Sequence, residues 1–238
     1  MSFDPDKRYM TREQAAAAEI DVGLRRYMLQ VYNYMASGVL LTGIVAYVVA
    51  GSPTMLDAIF GTPLKWVVML APLGFVFFLS AKIATMSYST AQIVFWVFAG
   101  IMGLSLAAIF VVYTGESVAR VFFITAGMFG AMSLYGYTTK KDLSGWGSFL
   151  FMGLIGIIIA SLVNLFLQSS AMQFAISVIG VLVFTGLTAY DTQKIKEIYY
   201  EGDSEEASGK KAIMGAVRLY LDFINLFIML LHLLGNRR

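Results

Sequence analysis

The chain of 238 residues has no cysteine, one histidine, four prolines and only 13% charged residues. Without cysteine there is no disulfide, no thiolate nucleophile and no cysteine metal site. A lone His232 is too little for a histidine metal site or a catalytic triad. Net charge is only +2 and no basic run suggests nucleic acid. Neither a catalytic residue nor a bound cofactor is therefore expected.

What the chain has instead is apolar surface. Apolar residues make up 58% of it and the mean hydropathy is +0.73. Soluble domains run nearer half apolar and about a quarter charged, so the natural partner is the lipid bilayer. A hydrocarbon core about 30 Å thick needs roughly 17–25 apolar residues per helix. Apolar windows with few or no charges place seven spans, at 28–50, 65–83, 89–112, 118–138, 146–167, 173–190 and 212–234. The expected fold is thus an all-α membrane protein with seven transmembrane helices in one domain. Residues 1–27 are expected to form a cytoplasmic N-terminal segment, with Thr11 and Gln14 at capping-box spacing for a helix at the surface. That segment is mixed in charge, so no cleavable signal peptide is expected. The charged stretch 191–211 reads as one long loop that extends the sixth span before turning. The second span has the shortest charge-free window, Trp66–Ala81, and carries Pro72, which makes it the expected mobile element and barrier.

Helices in lipid associate through small residues that let backbones approach. Ala99, Gly103 and Ala107 keep a four-residue spacing, as do Gly127 and Ala131, while Gly153 and Gly156 lie one turn apart. These read as packing contacts.

Two aspartates stand out. Asp222 is the acid that falls deep inside a span, about 15 Å along it at 1.5 Å per residue. An ionised group there costs at least about 2.5 kcal/mol, so it should face protein or water and have a partner. Asp191 closes the sixth span, where it is either interfacial or that partner. The two meet only if the sixth helix continues inward past a recessed vestibule, or if the seventh begins later than its apolar pattern suggests. Two carboxyls in a low-dielectric site cannot both ionise cheaply, so a pair would share one proton. When ionised, the same pair is an oxygen-rich site suited to Ca2+. Arg218, Asp222, Asn225, Met229 and His232 follow steps of four, three, four and three and share one helix face. Arg218 either forms an i,i+4 ion pair with Asp222 or snorkels to the inner surface.

"GLTAYDTQKIK" and "LYLDFINLF", with "TAGMFGAMSLYGYTTKKDLSG" and the closing "LLGNRR", resemble the Bax inhibitor-1 (TMBIM) family. The likeness is close to its proteobacterial inner-membrane members and covers the chain from Arg25 onward. It implies a seventh helix central within two three-helix layers. It also implies a pH-sensitive Ca2+ leak channel of the bacterial inner membrane, gated by an aspartate pair matching Asp191 and Asp222. The family's latch, a basic residue late in the second span, has Lys82 as its nearest candidate. A Ca2+/H+ exchanger would use the same aspartates. An alternative from another class is a non-transporting modulator of a membrane-bound ATP-dependent protease or translocon, acting through the N-terminal segment.

Lysines and arginines orient the spans. With the N-terminus inside, twelve fall on the inner side and four, Lys65, Arg120, Arg237 and Arg238, on the outer. Reporter fusions at Arg238 should therefore be active only in the periplasm. Activity confined to the cytoplasm would overturn the seven-span topology.

Overall fold

The computed structural model describes the backbone of residues 12–238 and the side chains from Val22 onward. The expected cap at Thr11 lies outside those residues. Eight helices follow one another: α1 Arg12–Ala50, α2 Pro53–Phe60, α3 Leu64–Lys82, α4 Tyr88–Val112, α5 Gly115–Thr138, α6 Ser144–Leu167, α7 Ser170–Glu197 and α8 Glu205–Leu234. All but α2 are long and apolar enough to cross a membrane. The bilayer core offers no water to unpaired backbone groups, so helix ends must be satisfied by the chain itself. Ser87, Thr114, Ser169 and Ser204 do this at the starts of α4, α5, α7 and α8, each accepting the N–H three residues on.

Charge marks where lipid ends, not where helix ends. α1 runs unbroken through position 27, because the alanine- and glutamate-rich stretch before it favours helix. The expected long loop 191–211 is largely helical for the same reason. α7 continues to Glu197 and α8 already begins at Glu205, capped by Ser204, which leaves only 198–204 between them.

α8 lies at the centre. It packs against α1 and α4 on one side and α5 and α7 on the other, while α3 leans on α4 and α6 on α7. The result is two three-helix layers, α1/α3/α4 and α5/α6/α7, around one helix. Ala212, Ile213, Ala216, Leu219, Tyr220 and Leu226 of α8 have no exposed surface, as its central place requires. Two polar chains cross the layers. The Tyr220 hydroxyl lies 2.6 Å from Thr42 Oγ1, which donates to the Ala99 carbonyl, joining α8, α1 and α4. The Tyr32 hydroxyl lies 2.7 Å from Ser133 Oγ, itself 2.9 Å from Thr192 Oγ1, joining α1, α5 and α7. At the far end, the tail clips onto the α4–α5 turn through Thr114 N–H to the Asn236 carbonyl and Arg238 N–H to the Val112 carbonyl.

The small-residue stripes divide. Ala99, Gly103 and Ala107 are buried as expected, and a Cβ on Gly103 would stand 2.8 Å from the Thr42 carbonyl of α1. Gly153 faces Val183 of α7. Gly127, Ala131 and Gly156 are not packing contacts: a Cβ on either glycine meets open space, and Gly127 and Ala131 are exposed. The tight approach of α5 to α7 is at Gly136, where a Cβ would stand 2.2 Å from the Ala189 carbonyl. Gly136→Ala should lower thermal stability in detergent by about 1–3 kcal/mol, the usual cost of overpacking against backbone. Gly127→Ala should leave it unchanged or slightly raised.

Pro72 does not break α3. It lacks the N–H that would bond the Val68 carbonyl, and Ser105 of α4 supplies a hydroxyl to that carbonyl instead. Ser105→Ala should therefore cost about 1–3 kcal/mol and speed hydrogen exchange around Pro72 without affecting α6. In a Pro72→Ala background, which restores the N–H, that cost should shrink. Equal costs in both backgrounds would remove this assignment.

Candidate functional site

Asp191 and Asp222 are set by the pairing of α7 with α8. These helices run antiparallel, and two close approaches fix their register: Gly215 meets Ile195, and Gly180 meets Met229. In that register Asp191 stands about three residues, or about 4.5 Å, short of Asp222 along the axis. Side chains on a helix lean toward its own N-terminus, and the N-termini of α7 and α8 lie at opposite ends. The two carboxylates therefore lean toward each other and close the offset. They stand within hydrogen-bonding reach, with the Arg218 guanidinium close enough to act on both. Of the two routes by which they could meet, the structure takes the first: α7 continues past Asp191, and α8 starts earlier than its apolar pattern, not later.

Asp222 is only 5% exposed, and its Oδ2 is buried with no hydrogen-bond partner among the described residues. Asp191 is partly exposed. Both open onto a cavity of about 510 Å3 between α6, α7 and α8. Arg218, Asn225 and Tyr190 line it with them, α6 contributing Gly147, Ser148, Phe151 and Leu154, none of which titrates. A hydrogen bond between two carboxyls requires one of them to carry a proton, since an ionised carboxylate only accepts. The arrangement can therefore exchange a proton and hold a cation against two oxygen-bearing groups.

Neighbouring contacts hold Asp191 in place. Thr188 and Thr192 donate back to the carbonyls of Phe184 and Thr188. Gln193 accepts the Leu143 N–H and donates to the Lys141 carbonyl, both at 2.8 Å, which clamps the α5–α6 turn onto α7. A Cβ on Gly147 would stand 2.5 Å from the Tyr190 ring, so only glycine lets that ring lie against α6.

The polar stripe on α8 faces α7 along its length, but only its N-terminal half lines the cavity. Asn225 donates to the Leu221 carbonyl. Met229 packs on Gly180, and His232 Nδ1 lies 3.0 Å from Gln173 Nε2. Arg218 forms no ion pair with Asp222 and none with any acid among the described residues. It is exposed and also borders a smaller recess of about 280 Å3 beside the α7–α8 turn, between α1, α7, α8 and the end of α3, so it stands between that recess and the aspartates. Lys82 is not brought to the pair. It is exposed at the end of α3, and no residue of α3 lines the aspartate cavity. The barrier expected at Pro72 is absent from this cavity for the same reason: α3 packs on the opposite layer. Sequence reading did not single out Tyr190, Ser148 or Gly147. Tyr190 was signalled by its place beside Asp191, whereas the other two depend on how α6 is rotated.

No group of three or more histidine or acidic side chains among the described residues is placed to hold a metal ion. Comparison with known proteins agrees with this architecture. A sequence model described as "Inhibitor of apoptosis-promoting Bax1" matches residues 24–238. An uncharacterized protein of Rickettsia prowazekii is 54% identical over 218 residues, covering 92% of each chain. The inner membrane protein YbhL of Escherichia coli K12 is 51% identical over 219 residues, covering 91% of this chain and 94% of its own. An uncharacterized protein of Caulobacter vibrioides is 46% identical over 233 residues, covering 94% and 93%. With its seven membrane-length helices, its central eighth element and a match along almost its whole length, the chain belongs to the Bax inhibitor-1 family.

Proposed function

We propose that this protein is a multi-pass inner-membrane protein that lets a cation, Ca2+ in the first instance, leak through at a rate set by pH. The observation that carries the reading is Asp222, an enclosed carboxyl with an unpartnered oxygen, set against Asp191 at the wall of a cavity. An acid at that depth is costly, and the rest of the fold supplies no ion pair to neutralise it. A proton shared with Asp191 neutralises it, and a cation does the same when the proton leaves.

Ca2+ takes six to eight oxygens in a binding site. Two carboxyls and the Asn225 amide fall well short, so a calcium ion here keeps much of its water. That favours transit over tight capture. Inward of the pair, Arg218 borders both the cavity and the recess and sets a positive potential at the neck. Outward of it, Phe184, Leu154 and the Met229–Gly180 contact form an apolar block. Under this reading the aspartate pair sets the charge of the site, and the apolar block sets the resting conductance.

Purified protein in liposomes, assayed for Ca2+ flux against pH, tests this. Asp191→Asn and Asp222→Asn keep size and hydrogen-bonding capacity but cannot ionise, and each should flatten the pH profile. The double variant should match either single one, because a coupled unit is lost only once. Arg218→Leu removes the cation beside the pair and should move the flux midpoint to higher pH, by analogy with any carboxyl losing a nearby positive charge. An unchanged pH profile in both aspartate variants ends the proposal and leaves Asp222 a packing residue.

A further inference from the structure

The outward face of α1 changes character along its length. Arg25 and Arg26 are exposed toward one end, Asn33 and Ser37 lie in the middle, and Leu40, Ile44 and Val48 are exposed toward the other. Where α4 meets this face, Trp96 helps enclose a cavity of about 710 Å3 that reaches from the two arginines to Ser37. It lies on the opposite layer from the aspartate pair and shares no lining residue with that cavity.

Depth can be read from the helix. Counting back from Ala50, twenty residues at 1.5 Å each cover a hydrocarbon core about 30 Å thick. The hydrocarbon edge then falls near Val31, so Asn33 lies about 3 Å inside it, and the arginines lie about 8 Å outside it, at headgroup level. The groove wall is held in place. Gln30 Nε2 donates to the Tyr88 hydroxyl at 2.9 Å, Tyr88 and Tyr34 hydroxyls lie 2.6 Å apart, and Gln92 reaches the Tyr34 hydroxyl. The Ser37 hydroxyl donates to the Asn33 and Tyr34 carbonyls. The Asn33 side chain, by contrast, points outward and has no hydrogen bond among the described residues. Snorkelling arginines and an interfacial tryptophan are ordinary at a membrane surface. Here they converge on one open groove, with an unpartnered amide near the edge of the hydrocarbon core and an apolar track continuing from it.

We propose that this groove holds one anionic phospholipid. Its phosphate sits between Arg25 and Arg26, whose guanidinium groups match phosphate geometry. Its ester region meets the Asn33 amide, and an acyl chain follows Leu40, Ile44 and Val48. The order of charge, amide and apolar surface along α1 is the order of groups along a lipid.

Trp96 makes the test direct. Trp66 and Trp146 are exposed elsewhere, so Trp66→Phe with Trp146→Phe leaves Trp96 as the single indole in the full-length protein. That protein is reconstituted in phosphatidylcholine vesicles with a few mole per cent of brominated phosphatidylglycerol or brominated phosphatidylcholine. The anionic lipid should quench Trp96 several-fold more than the zwitterionic one at equal mole fraction. Adding Arg25→Gln and Arg26→Gln should abolish the excess while the zwitterionic quenching and the helical circular dichroism stay the same. Should that variant misfold, raising salt in the parent protein should reduce the excess instead. Equal quenching by the two lipids, or an excess that survives both treatments, overturns the proposal. Loss of the excess on adding millimolar inorganic phosphate would mark a free-phosphate site, and shielding from both lipids would mark a contact between copies of the chain. Either result overturns it as well.

Discussion

Placing a carboxylate in the middle of the central helix constrains everything around it. Asp222 is buried but for a small face on the cavity, and no cation among the described residues forms an ion pair with it. Its stability rests on what α7 presents. α7 is therefore the most closely fixed neighbour in the bundle, and glycine permits this at several levels. Gly136 brings α5 against the Ala189 backbone, Gly147 accepts the Tyr190 ring, Gly180 accepts Met229 and Gly215 accepts Ile195. In lipid, where helices gain little from mutual hydrophobic burial, such close approaches supply the packing that positions a helix. Gln193 then anchors the α5–α6 turn two residues beyond Asp191. The two leaning side chains meet because the backbone beneath them cannot slide.

The bilayer made much of this legible in the sequence. A fixed hydrocarbon thickness and the need to satisfy every backbone group internally leave few options, so the apolar windows fall on the seven helices that are long and apolar enough to cross a membrane. They place the ends poorly, because a charge stops lipid contact without stopping a helix. Lys194, Lys196 and Glu197 lie on α7, and Lys210 and Lys211 on α8, all beyond the edges of the apolar windows. This matters most at the site. With the sixth span cut at Tyr190, Asp191 looks interfacial; with the helix carried to Glu197, it lies two turns inside.

Rotation about the helix axis was not legible. Ala99, Gly103 and Ala107 have the same kind of spacing as Gly127 and Ala131, yet the first set faces α1 and the second faces outward. Spacing shows that residues share a face, and the neighbouring helices decide which way that face turns. Lys82 failed for a similar reason. Its position late in the second span was suitable, but α3 belongs to the layer away from the aspartates, and the basic group beside them is Arg218 on α8 itself. Ser105 gave no signal at all, since one serine in a long apolar helix looks incidental until Pro72 is seen to free the carbonyl opposite it.

The two layers around α8 differ in what they can move. α1 and α4 meet along an extended contact and share the Thr42 and Tyr34 hydrogen bonds, while α6 touches the rest of the bundle chiefly through α7. The aspartate cavity opens on that sparser side. Its outward limit is also soft: Met229, an unbranched thioether with three rotatable bonds, fills the space over Gly180, which has no side chain to hold it. Rotation of one side chain thins this block without moving a helix. The opposite limit is different in kind, because Arg218 carries a charge and borders both the recess and the cavity. A proton on the aspartate pair removes the negative charge that draws Arg218 toward the cavity, and loss of that proton restores it. Under the leak reading, the same proton that sets the charge of the site therefore also sets how far the neck is occupied by Arg218, so one titration governs both the attraction of a cation and its access.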